Sequence, residues 1–134
     1  MHRTVKILKE SSIIESILSI DSDAFGEYYR LKIQARLING WKLHLWEHAT
    51  PRFRRYAYHI SKGSELIIRW DNAPHHRRLR TFPHHKHVKE AILESKEVVI
   101  EDILEELERM IKEEGSKLPE VRSYPEEDSS PPNS

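Results

Sequence analysis

Two neighbouring segments with alternating apolar and polar side chains constrain the fold more than any other feature of the sequence. The first runs from Tyr28 to Leu37, the second runs from Trp41 to Trp46, and Asn39-Gly40 lies between them. A period of two residues is typical of a strand with one buried face. Asn-Gly between two such segments is a strong hairpin signal. We therefore predict an antiparallel hairpin with strands over 28–38 and 41–49.

The alternation also predicts how these strands pair. A two-residue loop would set Leu37 opposite Lys42 and mix apolar with polar side chains on both faces. A three-residue loop that ends at Gly40, with this glycine in the left-handed conformation beside a bulge, instead pairs Leu37 with Trp41. One face is then apolar. The other face carries the pairs Arg36 with Lys42, Gln34 with His44, Lys32 with Trp46 and Arg30 with His48.

The following segments repeat the pattern and predict a second hairpin, with strands over 53–60 and 65–71. A loop of Ser61-Lys62-Gly63 would set Tyr58 opposite Leu66, Tyr56 opposite Ile68 and Arg54 opposite Trp70. Residues 11–20 fit either a helix or a strand, and their serine and β-branched residues favour a strand. We expect an antiparallel sheet of four to six strands with one apolar face and one cationic face.

A helix is predicted after the sheet. Apolar residues recur at helical spacing from Ile100 to Ile111, Glu101 and Asp102 lie in the first turn, and Gly115 follows as a stop. We predict a C-terminal helix over 100–114 packed on one face of the sheet, which makes the fold class α+β. Residues 1–118 are assigned to a single domain. The Ser-, Pro- and Glu-rich residues 119–134 predict a disordered tail.

Several features bear on the compartment. The chain has no cysteine, which excludes disulfides and thiolate metal sites and fits a reducing environment. No apolar run approaches the roughly 20 residues of a membrane span, and the start Met1-His2-Arg3-Thr4 lacks the apolar stretch of a signal peptide. We expect a cytoplasmic protein that does not enter a membrane.

Charge is distributed unevenly, although the formal net charge is zero. Residues 27–89 contain fourteen Lys/Arg and four Asp/Glu, whereas residues 90–134 contain five and fourteen. A basic central region suggests a polyanion such as nucleic acid as its partner. The alternative is that these charges solvate different faces of an unrelated fold.

Five of the nine histidines lie between His75 and His87, close to Arg77, Arg78, Arg80 and Lys86. Imidazole and guanidinium groups are costly to bury, so a cluster of them is more than a folded core needs. We expect the functional site in this region.

Residues Arg54 to Val88 resemble the TumE family of bacterial and archaeal toxins. The resemblance is carried by Arg69-Trp70-Asp71-Asn72-Ala73-Pro74-His75-His76 and by Thr81-Phe82-Pro83-His84-His85-Lys86-His87. It implies a toxin encoded beside a helix-turn-helix antitoxin. The resemblance extends over most of the ordered chain. By analogy with other small antiparallel-sheet toxins, it also implies an attack on RNA.

RNA cleavage by the neighbouring 2′-hydroxyl needs a general base, a general acid and cations beside the phosphate, and it needs no cofactor. Imidazole titrates near neutral pH, so one histidine can be neutral while another is protonated. Asp71 would orient one histidine, or it would only cap the turn that it begins. The candidate catalytic residues are Asp71, His75, His76, His84, His85 and His87. The candidate RNA- and phosphate-binding residues are Arg30, Lys32, Arg55, Arg69, Arg77, Arg80 and Lys86.

Two alternatives to a metal-independent ribonuclease stay open. His85 and His87, with His75 or His76 and Asp71, would give a three- or four-ligand site for zinc or another divalent ion, although the surrounding cations favour a phosphate. The cationic face could also bind nucleic acid or an acidic partner protein without catalysis. Loss of turnover with retained affinity in a histidine variant distinguishes a catalyst from a binding module.

Overall fold

The computed structural model describes the backbone of residues 2–123 and the side chains of residues 2–115. This part of the chain contains two helices and seven strands, and it confirms the α+β class. The elements are α1 (Arg3–Glu10), β1 (Ile14–Phe25), β2 (Tyr28–Leu37), β3 (Lys42–Ala49), β4 (Arg54–Lys62), β5 (Glu65–Asp71), β6 (His85–Val88), β7 (Ala91–Glu94) and α2 (Ile100–Ser123). No described helix is both long enough and apolar enough to cross a membrane.

The seven strands form one antiparallel sheet in which each strand pairs with the next along the chain. The strand that composition favoured over residues 11–20 is present, but it runs from Ile14 to Phe25. The sheet has more strands than the four to six expected, because part of the histidine-rich segment is itself a strand. β6 and β7 have four residues each, too short for an alternating pattern to stand out.

The first hairpin has the predicted register. Ala35 lies opposite Leu43 and Ile33 opposite Leu45, while Gln34 lies opposite His44 and Lys32 opposite Trp46. Gly40 has a φ of +91°, which confirms the left-handed conformation expected of it. The apolar residues of both strands therefore share one face, and the basic and aromatic residues share the other.

The predicted register of the second hairpin is wrong. Tyr58 lies opposite Trp70 and Ile60 opposite Ile68, and the chain turns at Gly63-Ser64 between the paired residues Lys62 and Glu65. This two-residue turn alone would set Tyr58 opposite Arg69 and mix the faces. A bulge next to Ile60 shifts the register by one residue and restores the separation of the faces. The polar face of this hairpin carries Arg55, His59 and Arg69.

The apolar face contains one buried carboxylate, Glu47, which is 2% exposed. Its oxygens accept hydrogen bonds from Tyr58 Oη at 2.6 Å and from Thr4 Oγ1 at 2.9 Å, and Tyr29 Oη lies at 3.4 Å. Hydrogen bonding of this kind offsets the cost of burying a charge. Thr4 belongs to α1, so the contact ties this helix to the sheet.

Helix α1 was not predicted from the sequence. It has eight residues, no acidic residue in its first turn, and His2 as its N-cap, whose Nδ1 accepts from Thr4 N at 3.0 Å. Histidine is not among the residues that typically mark a helix start. The helix buries Val5 and Leu8.

The described residues divide into two units, 2–103 and 104–123. The first contains α1, the sheet and the start of α2, where Ile100 and Ile103 are buried. The helix predicted over 100–114 is confirmed, but it continues through Gly115 to Ser123. Its packing on the sheet and the single domain over 1–118 stay predictions. Residues 124–134 of the predicted tail lie outside the described residues.

Replacing Gly40 with alanine is expected to lower the free energy of unfolding by about 1–2 kcal/mol, because a Cβ is strained at its positive φ. The matched control is Gly115→Ala in the interior of α2, where nothing lies within 4 Å of an added Cβ. This control should raise stability by about 0.5–1 kcal/mol. Urea unfolding of both variants gives the measurement, and a neutral or stabilising Gly40→Ala would contradict the turn geometry.

Candidate functional site

The pairing of β5 with β6 places charged and imidazole side chains side by side on the polar face of the sheet. Asp71 lies opposite His85, and Arg69 lies opposite His87. Residues 72–84 connect the two strands and carry His76 back to the same face. The two histidines of β6 are therefore held by strand pairing, and not by a loop as the sequence suggested.

His76, His85 and His87 form a compact cluster. The ring centroids of His76 and His85 are 4.7 Å apart, those of His85 and His87 are 4.9 Å apart, and those of His76 and His87 are 5.7 Å apart. One nitrogen from each ring lies within 4.8 Å of the others. We call these three residues the histidine cluster.

Asp71 holds the histidine cluster together. Its side chain is buried, with Oδ1 at 3.0 Å from His85 Nε2 and Oδ2 at 3.4 Å from His87 Nε2. Arg69 Nε donates to Oδ2 at 2.9 Å, and Ala73 N donates to Oδ1 at 3.0 Å. Burial alone would raise the pKa of this carboxyl. The hydrogen bonds from Ala73 and Arg69 and the charge of His85 outweigh burial and lower the pKa.

His85 is held on both sides, because both of its ring nitrogens face acceptors and its side chain is 2% exposed. Nδ1 lies 2.9 Å from the carbonyl oxygen of Pro83, which only accepts. Nε2 faces the Asp71 carboxylate, which in its ionised form also only accepts. Both nitrogens are therefore engaged within the protein, and neither is free to accept a proton from a bound ligand.

His87 is the member of the cluster that can act as a base. Burial lowers its pKa, and the charges of His85, Arg69 and His76 add to this, although Asp71 acts in the opposite direction. The neutral ring is thus favoured at neutral pH. Because Nε2 faces Asp71, the proton of the neutral ring lies on Nε2, which leaves Nδ1 able to accept. The ring is only partly buried.

The start of the connection between β5 and β6 is fixed by Asn72, a buried residue whose role was not predicted. Its Oδ1 accepts from Tyr56 N at 3.0 Å, and its Nδ2 donates to the carbonyl of Arg54 at 2.7 Å. At the other end, Thr81 Oγ1 donates to the carbonyl of His84 at 2.7 Å. Asp71 makes the contacts that both of its proposed roles require, since it accepts from Ala73 N in the turn and also faces two histidines.

Comparison with known protein families shows to which family the chain belongs. The family described as Toxin TumE matches residues 4–114, which is most of the chain and includes the whole histidine cluster. The chain belongs to the TumE toxin family. It is therefore the toxin component of a toxin–antitoxin system, and an antitoxin is its implied partner. No curated protein and no solved structure matches the chain.

Two of the candidate catalytic histidines of this TumE-family toxin lie apart from the cluster. His84 points to the apolar side, where its ring stacks on Tyr56 and its Nδ1 lies 2.8 Å from the tyrosine Oη. Burial lowers the pKa of His84 and raises that of Tyr56 to about 12. His75 lines a cavity of about 450 Å³ together with His76 and Arg77. Of the six candidates, Asp71, His76, His85 and His87 come together.

The candidate cations are distributed over several places. Arg69 is part of the site, and Arg77 lines the cavity beside His76. Lys86 lies opposite Trp70, on the other face of β6 from the cluster. Arg80 is bound by both oxygens of Glu94. The remaining three lie on the polar face: Arg30 is 3.7 Å from Asp23, Lys32 lies opposite Trp46, and Arg55 lies opposite His48.

Two further histidines belong to this face. His44 and His59 are cross-strand neighbours with ring centroids 5.7 Å apart, and His59 Nδ1 lies 3.4 Å from Arg69 Nη1. Burial lowers the pKa of both, assisted by Lys42 for His44 and by Arg69 for His59. Neither residue was among the candidate catalytic residues predicted from the sequence. The correct register of the second hairpin would have placed His59 beside Arg69.

Proposed function

We propose that this toxin is a metal-independent endoribonuclease that cleaves RNA through the neighbouring 2′-hydroxyl. The observation that carries the proposal is the buried Asp71 carboxylate, which faces two histidines and an arginine at one place on a basic sheet face. Such a site holds a proton acceptor, a proton donor and a cation within reach of one phosphodiester.

His87 is the proposed general base. Its favoured neutral form and its free Nδ1 suit it to accept the proton of the 2′-hydroxyl. The oxygen then attacks the adjacent phosphorus, the bond to the 5′-oxygen breaks, and a 2′,3′-cyclic phosphate is left on one fragment.

His76 is the proposed general acid. Its imidazolium form donates a proton to the departing 5′-oxygen, which leaves as a hydroxyl. Its ring lies against both other members of the cluster, and it is only partly buried. It belongs to the connection between β5 and β6, so it approaches the phosphate from a different direction than His87 does. A base and an acid on different sides of the phosphorus suit an in-line displacement.

Arg69 is the proposed phosphate ligand. Its Nε is held by Asp71, which orients the guanidinium, and its side chain is 39% exposed. A preorganised cation of this kind stabilises the extra negative charge of the crowded phosphate.

The direct test uses an RNA oligonucleotide that the toxin cleaves and the same oligonucleotide with a single 2′-deoxy sugar at the cleaved position. The proposed mechanism requires the 2′-oxygen as nucleophile, so the substituted bond should resist cleavage while other bonds stay sensitive. Equal cleavage of both oligonucleotides at that position would refute this chemistry, because an external water would then be the nucleophile.

The pH dependence of cleavage follows from the lowered pKa of His87. The rate should fall as pH drops through this pKa, and the midpoint of the acid limb should lie below about 6.5, the value of an unperturbed histidine. Profiles of kcat/KM report the free enzyme and are the suitable measurement. A midpoint above that value would show that His87 is not the base.

A divalent ion bound by histidine is the second candidate, favoured by the three ring nitrogens within 4.8 Å of one another. Three imidazoles are a known zinc ligand set. Against it, His85 already uses both nitrogens, and Arg69 adds positive charge beside Asp71. Equilibrium dialysis against zinc separates the two candidates, since retention of about one ion per chain that is lost in His76→Ala would favour the metal.

RNA and a helix-turn-helix antitoxin are the proposed partners. RNA as a partner is supported by the basic character of residues 27–89, which contain fourteen Lys/Arg and four Asp/Glu. The helix-turn-helix type is supported only by the family resemblance. Copurification of the toxin with the product of the adjacent gene tests that part.

A further inference from the structure

A cavity of about 740 Å³ opens on the polar face of the sheet. Lys32, Gln34, His44, Trp46, His59 and Arg69 are among its lining residues. It is separate from the histidine cluster but shares Arg69 with the site, because this arginine contacts Asp71 on one side and His59 on the other. The proposed cleavage chemistry uses none of the other residues named here.

Strand pairing makes the cavity and the histidine cluster parts of one surface. His87 lies opposite Arg69, Arg69 opposite His59, His59 opposite His44, and His44 opposite Gln34. This row crosses four strand intervals, or about 19 Å at the usual spacing of about 4.8 Å. The surface is therefore longer than a single phosphodiester needs.

The cavity offers an aromatic surface at Trp46. This residue is flanked by Lys32 on β2 and by Ala57 on β4. Ala57 is a small residue that leaves open space beside the indole. The other two tryptophans, Trp41 and Trp70, are each at most 5% exposed. Stacking on an aromatic side chain is a general way to bind an unpaired base.

The cavity also offers cations and neutral hydrogen-bonding groups. Lys32 is in no ion pair within the described part of the chain, so its ammonium is available to a phosphate. His44 and His59 favour their neutral forms, because burial lowers their pKa values. A neutral imidazole both donates and accepts, as does the Gln34 amide, so these groups match the polar edge of a base.

We propose that this cavity binds an unpaired nucleotide of single-stranded RNA, with its base against Trp46 and the phosphates on its two sides at Lys32 and at Arg69. The bound nucleotide is a neighbour of the one cleaved at the histidine cluster, and in this respect the inference rests on the proposed function. The cavity offers one aromatic surface, two cations and neutral polar groups. Its lining also includes the carboxylate of Asp21, which lies opposite Lys32 on β1 but forms no ion pair with it. The aromatic surface beside these polar groups suits a nucleotide better than an acidic peptide.

Tryptophan fluorescence tests the cavity directly. A short 2′-O-methylated RNA, which cannot be cleaved through its 2′-oxygen, is titrated into the wild-type toxin. Quenching is expected and should be absent in Trp46→Phe, because the two remaining tryptophans are buried. Trp46→Ala should weaken binding by about 5- to 150-fold, the range of base stacking on one aromatic residue. Ala57→Leu, which fills the space beside the indole, should weaken binding while Trp46 is retained.

The control is Phe25→Ala, which removes an aromatic side chain that is 83% exposed on the same sheet but outside the cavity. Its affinity for RNA should equal that of the wild type. Quenching by polyglutamate at the same concentrations, or equal quenching by the duplex form of the RNA, would overturn the inference.

The two proposals fail in different ways. Suppose that the toxin cleaves RNA, but RNA does not quench its fluorescence and Trp46→Ala binds RNA as tightly as the wild type. The proposal of a nucleotide-binding cavity is then wrong, and the ribonuclease proposal stands. If RNA quenches the fluorescence with the expected variant pattern but is never cleaved, the cavity is right as an RNA-binding site and the ribonuclease is wrong.

Discussion

Replacing His87 with alanine should lower the single-turnover rate of RNA cleavage by about 10²- to 10⁴-fold, the usual contribution of a general base. The neutral form of His87 is favoured by its lowered pKa, and its Nδ1 faces away from Asp71. His85 has no nitrogen free for this role, because both of its ring nitrogens face acceptors. Single-turnover measurement isolates the chemical step from binding and product release.

The matched control is His75→Ala, a substitution of the same type in the connection between β5 and β6. His75 lies outside the histidine cluster, so this variant should keep most of the cleavage rate. Equal losses in both variants would contradict the assigned role. The affinity of His87→Ala for uncleavable RNA should stay close to that of the wild type. If affinity and its salt dependence fell together with cleavage, the site would be a binding surface and not a catalyst.

Replacing Asp71 with asparagine should lower the free energy of unfolding by about 3–5 kcal/mol. The carboxylate is buried, accepts from Arg69 and Ala73, and faces two histidines. An amide of the same shape keeps only one accepting oxygen, so its nitrogen would face a donor, either Arg69 Nε or Ala73 N. Urea unfolding at neutral pH gives the measurement, and a loss below about 1 kcal/mol would contradict this account.

The control for Asp71→Asn is Glu94→Gln, which breaks the exposed ion pair with Arg80. Surface pairs of this kind add little to stability, so no measurable change is expected. The difference between Asp71→Asn and the wild type should also depend on pH. The pKa of Asp71 is lowered by folding, so its contribution is complete above the unfolded value near 3.9 and is lost as pH falls through the lower folded value. The two proteins should therefore converge in strong acid.

Asp71→Asn offers a second readout that a purely structural role would not change. The Asp71 charge raises the pKa of His87 against the effect of burial. Removing this charge should shift the acid limb of the remaining cleavage activity to lower pH. If the acid limb of the pH–rate profile stays at the same pH, Asp71 does not influence the pKa of the general base.

Sequence periodicity predicted the central sheet because side chains alternate strictly where one strand face is buried. The Asn39-Gly40 hairpin was placed with its correct register, since only one loop length separates apolar from polar residues. The predicted register of the second hairpin was wrong because a bulge next to Ile60 changes the register without leaving a signal in the residue pattern. The same error hid the link from Arg69 to His59 and thus the continuity of the polar face.

The histidine-rich segment indicated the candidate site, but its sequence does not show which histidines meet. Strand alternation sends His85 and His87 to one face and Lys86 to the other. Composition treats these three residues alike, and only the pairing of β5 with β6 distinguishes them. His84 is drawn away by Tyr56 on the apolar side. Asn72 left no signal beyond its position in a turn sequence, because its hydrogen bonds go to the backbone of a different strand.

The measurement that tests the central claim most directly is the chemistry of the fragment ends after incubation of the purified toxin with RNA in EDTA. The mechanism predicts cleavage that persists in EDTA, leaves 2′,3′-cyclic phosphate and 5′-hydroxyl ends, and disappears in His87→Ala. Cleavage that stops in EDTA and returns with zinc, or fragments that carry 5′-phosphate ends, would contradict it. Zinc dependence would mean that the histidine cluster binds a metal ion. Fragments with 5′-phosphate ends would mean that it activates a water molecule instead of the 2′-hydroxyl.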